Sequence, residues 1–235
     1  GDVKAKIFPP SYTGLAFKET EEGNGNVEAL PGSRVEITAV SSNPLSVATL
    51  KYKADKAKTE KAVPAVISKD TRIKGVFYPS RPGEYWLEVY DRNGLKNADP
   101  VKYSIKILKD EAPSVSIVSP DEDLVVTPKE EIKLIYEVND DYGIKVSRLI
   151  AEKGKTKKTV FENKFSPPPT HDVIEYNWQL ESLGLTFGDK VVYYVEVVDN
   201  DASEGGKTAV SQRRRLEVPT MEDLKKAAPP ASQRA

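Results

Sequence analysis

The sequence predicts an all-β chain that consists of two repeats of one structural unit. The segments 83–93 and 188–201 both alternate large apolar residues with polar ones, and the strand in each ends on an aspartate, Asp91 or Asp199. A two-residue period is typical of a strand with one buried face. Each half carries about seven short strand-like runs separated by turn residues, and long amphipathic helical patterns are absent. Together these observations predict two tandem immunoglobulin-like or fibronectin-like β-sandwiches.

Composition supports a globular chain without a dominant charge. The 235 residues have room for two domains of about 100 residues each. Hydrophobic residues make up 38% and charged residues 30%, and the net charge of -1 creates no field that would attract nucleic acid or acidic lipid. The chain has no cysteine, which excludes disulfides and thiolate metal sites. No apolar run reaches the roughly 20 residues that span a bilayer, and the start at Gly1 suggests an excised piece of a longer protein.

In the first half, alternation and turn residues mark the strands in order. The run that begins at Lys4 ends at Pro9, which predicts an edge strand because proline cannot donate to a ladder. The following predicted strands are 35–39, 47–53, 73–78, 83–91 and 101–107. Tyr85 resembles the corner tyrosine of such sandwiches, whose hydroxyl bonds back to the backbone.

The linker-like stretch Lys109–Pro113 predicts the division between domains 1–109 and 112–218. Tyr193 lies 108 residues after Tyr85, and Leu149 lies 99 residues after Leu50, so the two halves align with a few inserted residues. The predicted strands of the second half are 132–136, 146–152, 174–180, 190–199 and 209–218.

Residues 219–235 are predicted to form a short helix or a disordered tail. Thr220 with Asp223 three residues later is a variant of the capping box, and Pro229–Pro230 ends any helix.

The two repeated strands predict an inner and an outer face. Their inward residues are Tyr85, Leu87, Val89, Tyr193, Val195 and Val197, while Glu88 and Glu196 point to solvent. The outward aromatic residues Trp86, Tyr90 and Tyr194 are candidates for an apolar surface that contacts a partner or a neighbouring module.

Four motifs, in this order and spacing, resemble a domain-of-unknown-function family of large bacterial membrane proteins. They are Pro10–Leu15, Gly25–Gly32, Asp140–Gly143 and Tyr193–Asp201. The resemblance implies extracytoplasmic Ig-like modules that follow membrane helices and precede a long helical, Gln-rich region, which Pro219–Leu224 would enter. It implies a location on the periplasmic or extracellular face of a bacterial envelope, with membrane attachment only through segments outside this fragment. It brings no catalytic residues.

The residues themselves offer no reactive constellation. His171 is the only histidine, so zinc and Ser-His chemistry lack partners. Its position after Pro167–Pro169 predicts a solvated loop. No glycine-rich stretch has the strand-to-helix context of a phosphate loop. We therefore expect no enzyme activity and no cofactor.

Acidic turns leave a calcium alternative open. Asp110, Glu111, Asp140, Asp141, Asp199 and Asp201 resemble the oxygen-rich loops of cadherin-like adhesion modules. Asp is also an ordinary turn residue, and the acidic linker is short. Another alternative is a carbohydrate-binding sandwich, which needs Trp86, Tyr90 or Trp178 exposed in a row.

The basic residues of the chain are expected to protect sheet edges. Arg213–Arg215 splits between two faces, and the two Lys-rich hairpins are typical of edge protection. The sequence thus favours a non-catalytic spacer or protein-interaction module whose partners are other envelope proteins or neighbouring modules.

Overall fold

The computed structural model describes residues 2–201 and 205–227, and it forms two compact units, Gly1–Asp110 and Glu111–Ala235. Each unit is an immunoglobulin-like sandwich of two β-sheets around its own apolar core. The predicted all-β fold class is therefore confirmed. None of the described helices is both long enough and apolar enough to cross a bilayer.

The described residues of the first unit form ten strands. They are β1 (Lys4–Phe8), β2 (Lys18–Glu19), β3 (Val27–Ala29), β4 (Arg34–Val40), β5 (Leu45–Ala54), β6 (Lys61–Pro64), β7 (Val66–Ser68), β8 (Arg72–Phe77), β9 (Gly83–Asp91) and β10 (Tyr103–Ile107). One sheet has the order β2-β1-β4-β8-β7 and the other the order β3-β10-β9-β5-β6. The prediction that β1 is an edge strand is wrong, because the short strand β2 pairs with its outer side at Lys6 and Ile7.

The described residues of the second unit form nine strands and one α-helix. They are β11 (Ser114–Ser119), β12 (Leu124–Val125), β13 (Glu131–Asn139), β14 (Ile144–Lys153), β15 (Thr156–Lys164), β16 (His171–Gln179), β17 (Lys190–Asp199), β18 (Thr208–Val210), β19 (Arg214–Glu217) and α1 (Met221–Ala227). One sheet has the order β11-β13-β16, and the other has the order β12-β19-β17-β14-β15, with β18 also paired to β17.

Strand register confirms the internal repeat that the residue offsets indicate. Leu50 pairs with Leu87 in the first unit, and Leu149 pairs with Val195 in the second, at the offsets of 99 and 108 residues. A β-bulge falls at the corresponding place in both central pairs, between Leu45 and Val47 and between Ile144 and Val146. The parallel pairs β3–β10 and β12–β19 also correspond. The halves therefore share the register of their central strand pairs, the position of a β-bulge and a parallel strand pair.

Each core is built from the inward faces that the alternation predicts. Tyr85, Tyr193, Val195 and Val197 are buried, whereas Leu87 and Val89 are half-buried against the first core. In the second unit Trp178 packs edge-on against Tyr193, with ring centroids 5.3 Å apart.

Two local predictions have different outcomes. Thr220 caps α1 as expected: its hydroxyl donates to Asp223 Oδ2 at 2.6 Å, and it accepts the N–H of Asp223 at 3.2 Å. The single predicted strand 209–218 is instead divided into β18 and β19, because the hydroxyl of Ser211 accepts the N–H of Val195 at 2.9 Å between them. The predicted tail after α1 lies outside the described residues.

Candidate interaction surfaces

The aspartates that end the repeated strands cap the turns that follow them. Asp91 Oδ1 accepts the N–H groups of Asn93 and Leu95 at 2.8 and 2.9 Å. Its counterpart Asp199 is buried, and its Oδ1 accepts the N–H groups of Asp201 and Lys207 at 3.1 and 2.9 Å. Both carboxylates therefore satisfy backbone donors in the same manner, as aspartates in turns generally do.

A lysine occupies the space between the two acidic residues at the end of β17. The ammonium Nζ of Lys207 lies 3.1 Å from Asp199 Oδ2 and 3.6 Å from Asp201 Oδ2. An ammonium group in this position neutralises the charge that would attract a calcium ion. The sequence could not show this, since Lys207 lies eight residues after Asp199.

The remaining acidic candidates also contact donors of their own units. Asp140 Oδ2 accepts the N–H groups of Tyr142 and Gly143 at 2.9 and 2.6 Å, and burial raises the pKa of Asp140. Asp141 accepts the N–H of Glu111, and Asp110 accepts the hydroxyl of Tyr12. Within residues 2–201 and 205–227, no three His, Cys, Asp or Glu side chains group to hold a metal ion.

Two of the three aromatic residues predicted to form an open surface are covered. Tyr194 is buried: its hydroxyl donates to Glu152 at 2.9 Å, and the guanidinium of Arg213 lies 4.4 Å from its ring centroid. Trp86 is 9% exposed, with the ammonium of Lys102 lying 5.4 Å from its ring. Tyr90 is half-buried. The expectation of an apolar patch is wrong for Trp86 and Tyr194, because long cationic side chains lie over the outward rings.

A stacking platform for sugars is also not formed by the predicted residues. Trp178 is fully buried in the second core, as its place in the alternation predicts. His171 is not in a loop but begins β16, where its Nδ1 lies 2.8 Å from Asn139 Oδ1 on the neighbouring strand.

An exposed aromatic surface lies elsewhere, in a region where the sequence predicts only an edge strand. Phe8 and Phe17 have ring centroids 5.6 Å apart, and Phe17 is 51% exposed. The ammonium of Lys6 lies 3.8 Å from the Phe17 ring, and the guanidinium of Arg34 lies 4.0 Å from the Phe8 ring. The alternation in β1 could have indicated this surface. Ala5 and Ile7 are buried on one face of the strand, and Phe8 lies on the other face.

A cleft of about 370 Å³ opens at one end of the first sandwich. Its lining includes Tyr52, the hydroxyl-bearing residues Thr59 and Ser80, and the cationic residues Lys61 and Arg81. The ammonium of Lys61 lies 5.7 Å from the Tyr52 ring. The two cationic side chains can bind an anion, but no other feature of the cleft indicates a particular ligand.

The edges of the sheets are protected to different degrees. The edge strand β15 carries Lys157, Lys158 and Lys164 and a register shift opposite Leu149 and Ile150, which agrees with the predicted protective role of its lysines. The edge strand β16 carries no lysine, arginine or proline among its nine residues. This edge is therefore long and regular and lacks lysine, arginine and proline.

Comparison with known proteins yields no family. No family model matches the chain, and no curated protein matches it. Solved structures with partial similarity include the fibronectin(III)-like modules of CbhA from Clostridium thermocellum, with a TM-score of 0.34 and 15% identity over 85% of this chain and 91% of that one. An alpha-2-macroglobulin mutant from Salmonella has a TM-score of 0.31 and 9% identity over 92% of this chain, which spans 15% of that protein.

The structure of DIP-gamma IG1+IG2 has a TM-score of 0.27 and 12% identity over 83% of this chain and 93% of that one. With TM-scores this low, the assignment of the fold rests on the strand order and register described above. The chain is an all-β tandem of two immunoglobulin-like sandwiches.

Proposed function

We propose that this tandem is a non-catalytic interaction and spacing module of a larger bacterial envelope protein. In this proposal the protein is attached to the membrane by segments outside residues 1–235, and the two sandwiches face the periplasm or the cell exterior. The four sequence motifs that resemble the family of membrane-anchored envelope proteins support the location. Partners would be other envelope proteins or neighbouring modules of the same chain.

The observation that carries the proposal is that the aspartate and serine side chains considered as candidate sites form hydrogen bonds within their own units. Asp91, Asp140 and Asp199 accept backbone N–H groups, and the buried Ser147 shares a hydrogen bond of 2.8 Å with Tyr136. The one histidine stands at the exposed start of a strand. These side chains stabilise turns and cores, so what each unit offers to other molecules is its surface and its sheet edges.

The two alternatives are less well supported by the same geometry. A calcium-dependent adhesion module requires acidic oxygens free to coordinate, whereas Lys207 already neutralises the Asp199 and Asp201 pair. A carbohydrate-binding sandwich requires a row of exposed rings, whereas Trp86 and Trp178 are buried.

The test is affinity capture from envelope extracts with the full chain as tagged bait. We expect a saturable partner that excess untagged chain displaces and that binds again when purified. Bait unfolded by heat is the control for non-specific adsorption. Retention of the same proteins by native and unfolded bait, or no displaceable protein at all, would refute the interaction role.

A further inference from the structure

One outer edge of the second sandwich is long, regular and without a neighbouring strand in the described part of the chain. β16 ends the sheet β11-β13-β16 and pairs with β13 on one side only. Its nine residues pair without a register shift, from Glu131 opposite Gln179 to Asn139 opposite His171. An edge of this kind is a template for a further strand, because its outward backbone groups are not used by the sheet.

The bonds at both ends of the pair show which backbone groups face outward. The N–H of Leu180 donates to the carbonyl of Glu130, and the N–H of Asp140 donates to the carbonyl of Thr170. In an antiparallel pair, hydrogen-bonded and non-bonded positions alternate. The even-numbered residues of β16 therefore bond to β13, and the odd-numbered residues direct their N–H and C=O groups to the free edge.

Two side-chain contacts agree with this assignment. The N–H of Val173 donates to Asp172 Oδ1 at 2.8 Å, and the carbonyl of Gln179 accepts the Ser182 hydroxyl at 2.9 Å. Both of these backbone groups are at odd-numbered positions and are satisfied locally. The backbone groups of Glu175 and Asn177 lie between them and face the free edge of the sheet.

The first unit provides an internal comparison. There the strand that corresponds to β16 is β8, and its outer side is covered by β7, with Val66 opposite Lys74 and Ser68 opposite Arg72. In the described residues of the second unit, the sheet ends at β16 without a counterpart of β7. The open edge is therefore one of the differences between the units, since β2 in the first unit and β18 in the second also have no strand counterpart in the described part of the other unit.

The side chains of this edge indicate the chemistry of its partner. Val173 is 50% exposed, and Glu175 is exposed, with an ion pair of 2.7 Å to Lys133. β16 contains two acidic residues, Asp172 and Glu175, and no basic residue except the histidine. A second copy of β16 would therefore bring acidic strands together without a lysine or arginine on either. A partner strand with an apolar residue opposite Val173 and a basic residue opposite Glu175 complements it.

We propose that the free edge of β16 binds an extended, basic segment of another protein, which adds as a fourth strand to the sheet β11-β13-β16. Main-chain hydrogen bonds to Glu175 and Asn177 would provide affinity, and the side chains opposite Val173 and Glu175 would provide selectivity. The inference rests on the proposed interaction role and specifies where a partner binds and what that partner is.

The test selects peptides on the immobilised full chain from a displayed library of random heptapeptides. We expect enriched peptides to alternate β-branched or apolar residues with Lys or Arg. In amide exchange followed by NMR, a bound peptide should protect the N–H groups of Glu175 and Asn177. Those of Ile174 and Tyr176 should be protected with or without peptide, because they already bond to β13.

A pair of variants separates backbone pairing from side-chain attraction. Glu175→Pro removes an outward N–H and no bond to β13, and proline is tolerated at such edge positions. Glu175→Thr removes the carboxylate and keeps the N–H. We expect Glu175→Pro to weaken peptide binding at least tenfold and Glu175→Thr to weaken it much less. Asn177→Pro is the second variant if Glu175→Pro changes the thermal midpoint.

Several results would overturn the proposal: no peptide is enriched, the enriched peptides bind Glu175→Pro as well as the parent, or protection appears at other amides. A partner captured from envelope extracts that binds Glu175→Pro equally well would remove the edge site and leave the interaction role intact. Peptide binding at β16 without any captured partner would support the edge site and count against the interaction role.

Discussion

Two corresponding tyrosines differ in what their hydroxyl groups contact. Tyr85 donates a buried hydrogen bond to the carbonyl of Gly25, which lies before β3. The hydroxyl of Tyr193, its counterpart, is buried without a hydrogen-bond partner among residues 2–201 and 205–227, and burial raises the pKa of Tyr193 to about 12. The repeat therefore preserved the ring at this position and not its hydrogen bond.

This difference predicts opposite results for the same substitution. Tyr85→Phe should lower the free energy of unfolding of the first unit by about 1 to 3 kcal/mol, because it leaves a buried carbonyl unpaired. Tyr193→Phe should change that of the second unit by less than about 0.5 kcal/mol or stabilise it, because no bond is lost. Urea unfolding of the two variants and the parent measures both. Equal losses would contradict the hydrogen-bond assignment.

Asp140 predicts a pH effect with a defined sign. Burial raises its pKa above the ordinary value of 3.8, against the opposing effect of two backbone N–H donors. Its contribution to stability is therefore complete below pH 3.8 and is lost as the pH rises through the raised folded-state pKa. Asp140→Asn keeps an acceptor oxygen and cannot ionise. We expect this variant to be more stable than the parent above that window and equal to it below.

Urea midpoints measured across a series of pH values test the Asp140 prediction. Asp121→Asn, a change at an exposed carboxylate, is the matched control for the loss of one negative charge. A variant curve parallel to that of the parent would show that Asp140 ionises without cost in the folded state.

Among the strands, β5 and β9 approach each other closely at Gly83. A Cβ atom at this position would lie 2.2 Å from the carbonyl oxygen of Lys53 and 2.7 Å from Cα of Ala54, both of which are backbone atoms. Gly83 pairs with Ala54 at one end of the central pair of the first sheet. The glycine is needed here for space, since its φ angle is not in the left-handed region.

Gly83→Ala should therefore separate the ends of β5 and β9. We expect a loss of at least about 2 kcal/mol in the free energy of unfolding of the first unit, because a backbone cannot move aside as a side chain can. The neighbouring Glu84→Ala, at an exposed position of the same strand, should cost less than about 0.5 kcal/mol. Equal stability of the two variants would show that the strands can move apart freely.

The strands were the most predictable part of the molecule. A two-residue period is read directly from the sequence, so the inward faces of β9, β16 and β17 were assigned correctly. The edges of the sheets were less predictable. Their outermost strands, such as β2 and β7, have only two or three residues, which is too short to show a two-residue alternation. The break at Ser211 was missed because it depends on a side-chain hydroxyl that accepts a distant N–H.

Candidate sites were less predictable than strands for a related reason. Alternation shows that Trp86 and Tyr194 point away from the core, but it does not show that Lys102 and Arg213 lie over them. The acidic turns were identified as a group by composition alone. Which backbone donor each carboxylate accepts depends on loop geometry, as the contact of Asp199 with Lys207 shows.

For the whole chain, separate cores predict units that fold independently. The buried residues form one cluster within residues 3–105 and another within residues 117–218. We expect residues 1–110 and 111–227, expressed separately, each to show a single cooperative thermal transition and strand-type circular dichroism. Loss of cooperativity in both fragments would show that neither core is sufficient. The fragment 1–105 is the control, because it removes Ile107 from β10.

Calcium tests the alternative function on the whole chain. Millimolar Ca²⁺ at a site of about 10 µM affinity would add about 2.7 kcal/mol to the free energy of unfolding. We expect the thermal midpoint to be the same in Ca²⁺, in chelator and in Mg²⁺ at matched ionic strength. A rise specific to Ca²⁺ that Asp201→Asn abolishes would favour the calcium-dependent module.

The close approach at Gly83 also has a consequence for how a duplicated chain avoids misfolding. Neighbouring repeats with matching register can exchange equivalent strands while they fold. The residue of β17 that corresponds to Gly83 is Val191. If β17 paired with β5 in the equivalent register, the Cβ of Val191 would meet the backbone of Lys53 at the distance that only glycine tolerates. The absence of a side chain at residue 83 is therefore expected to make β5 pair with β9 in preference to β17.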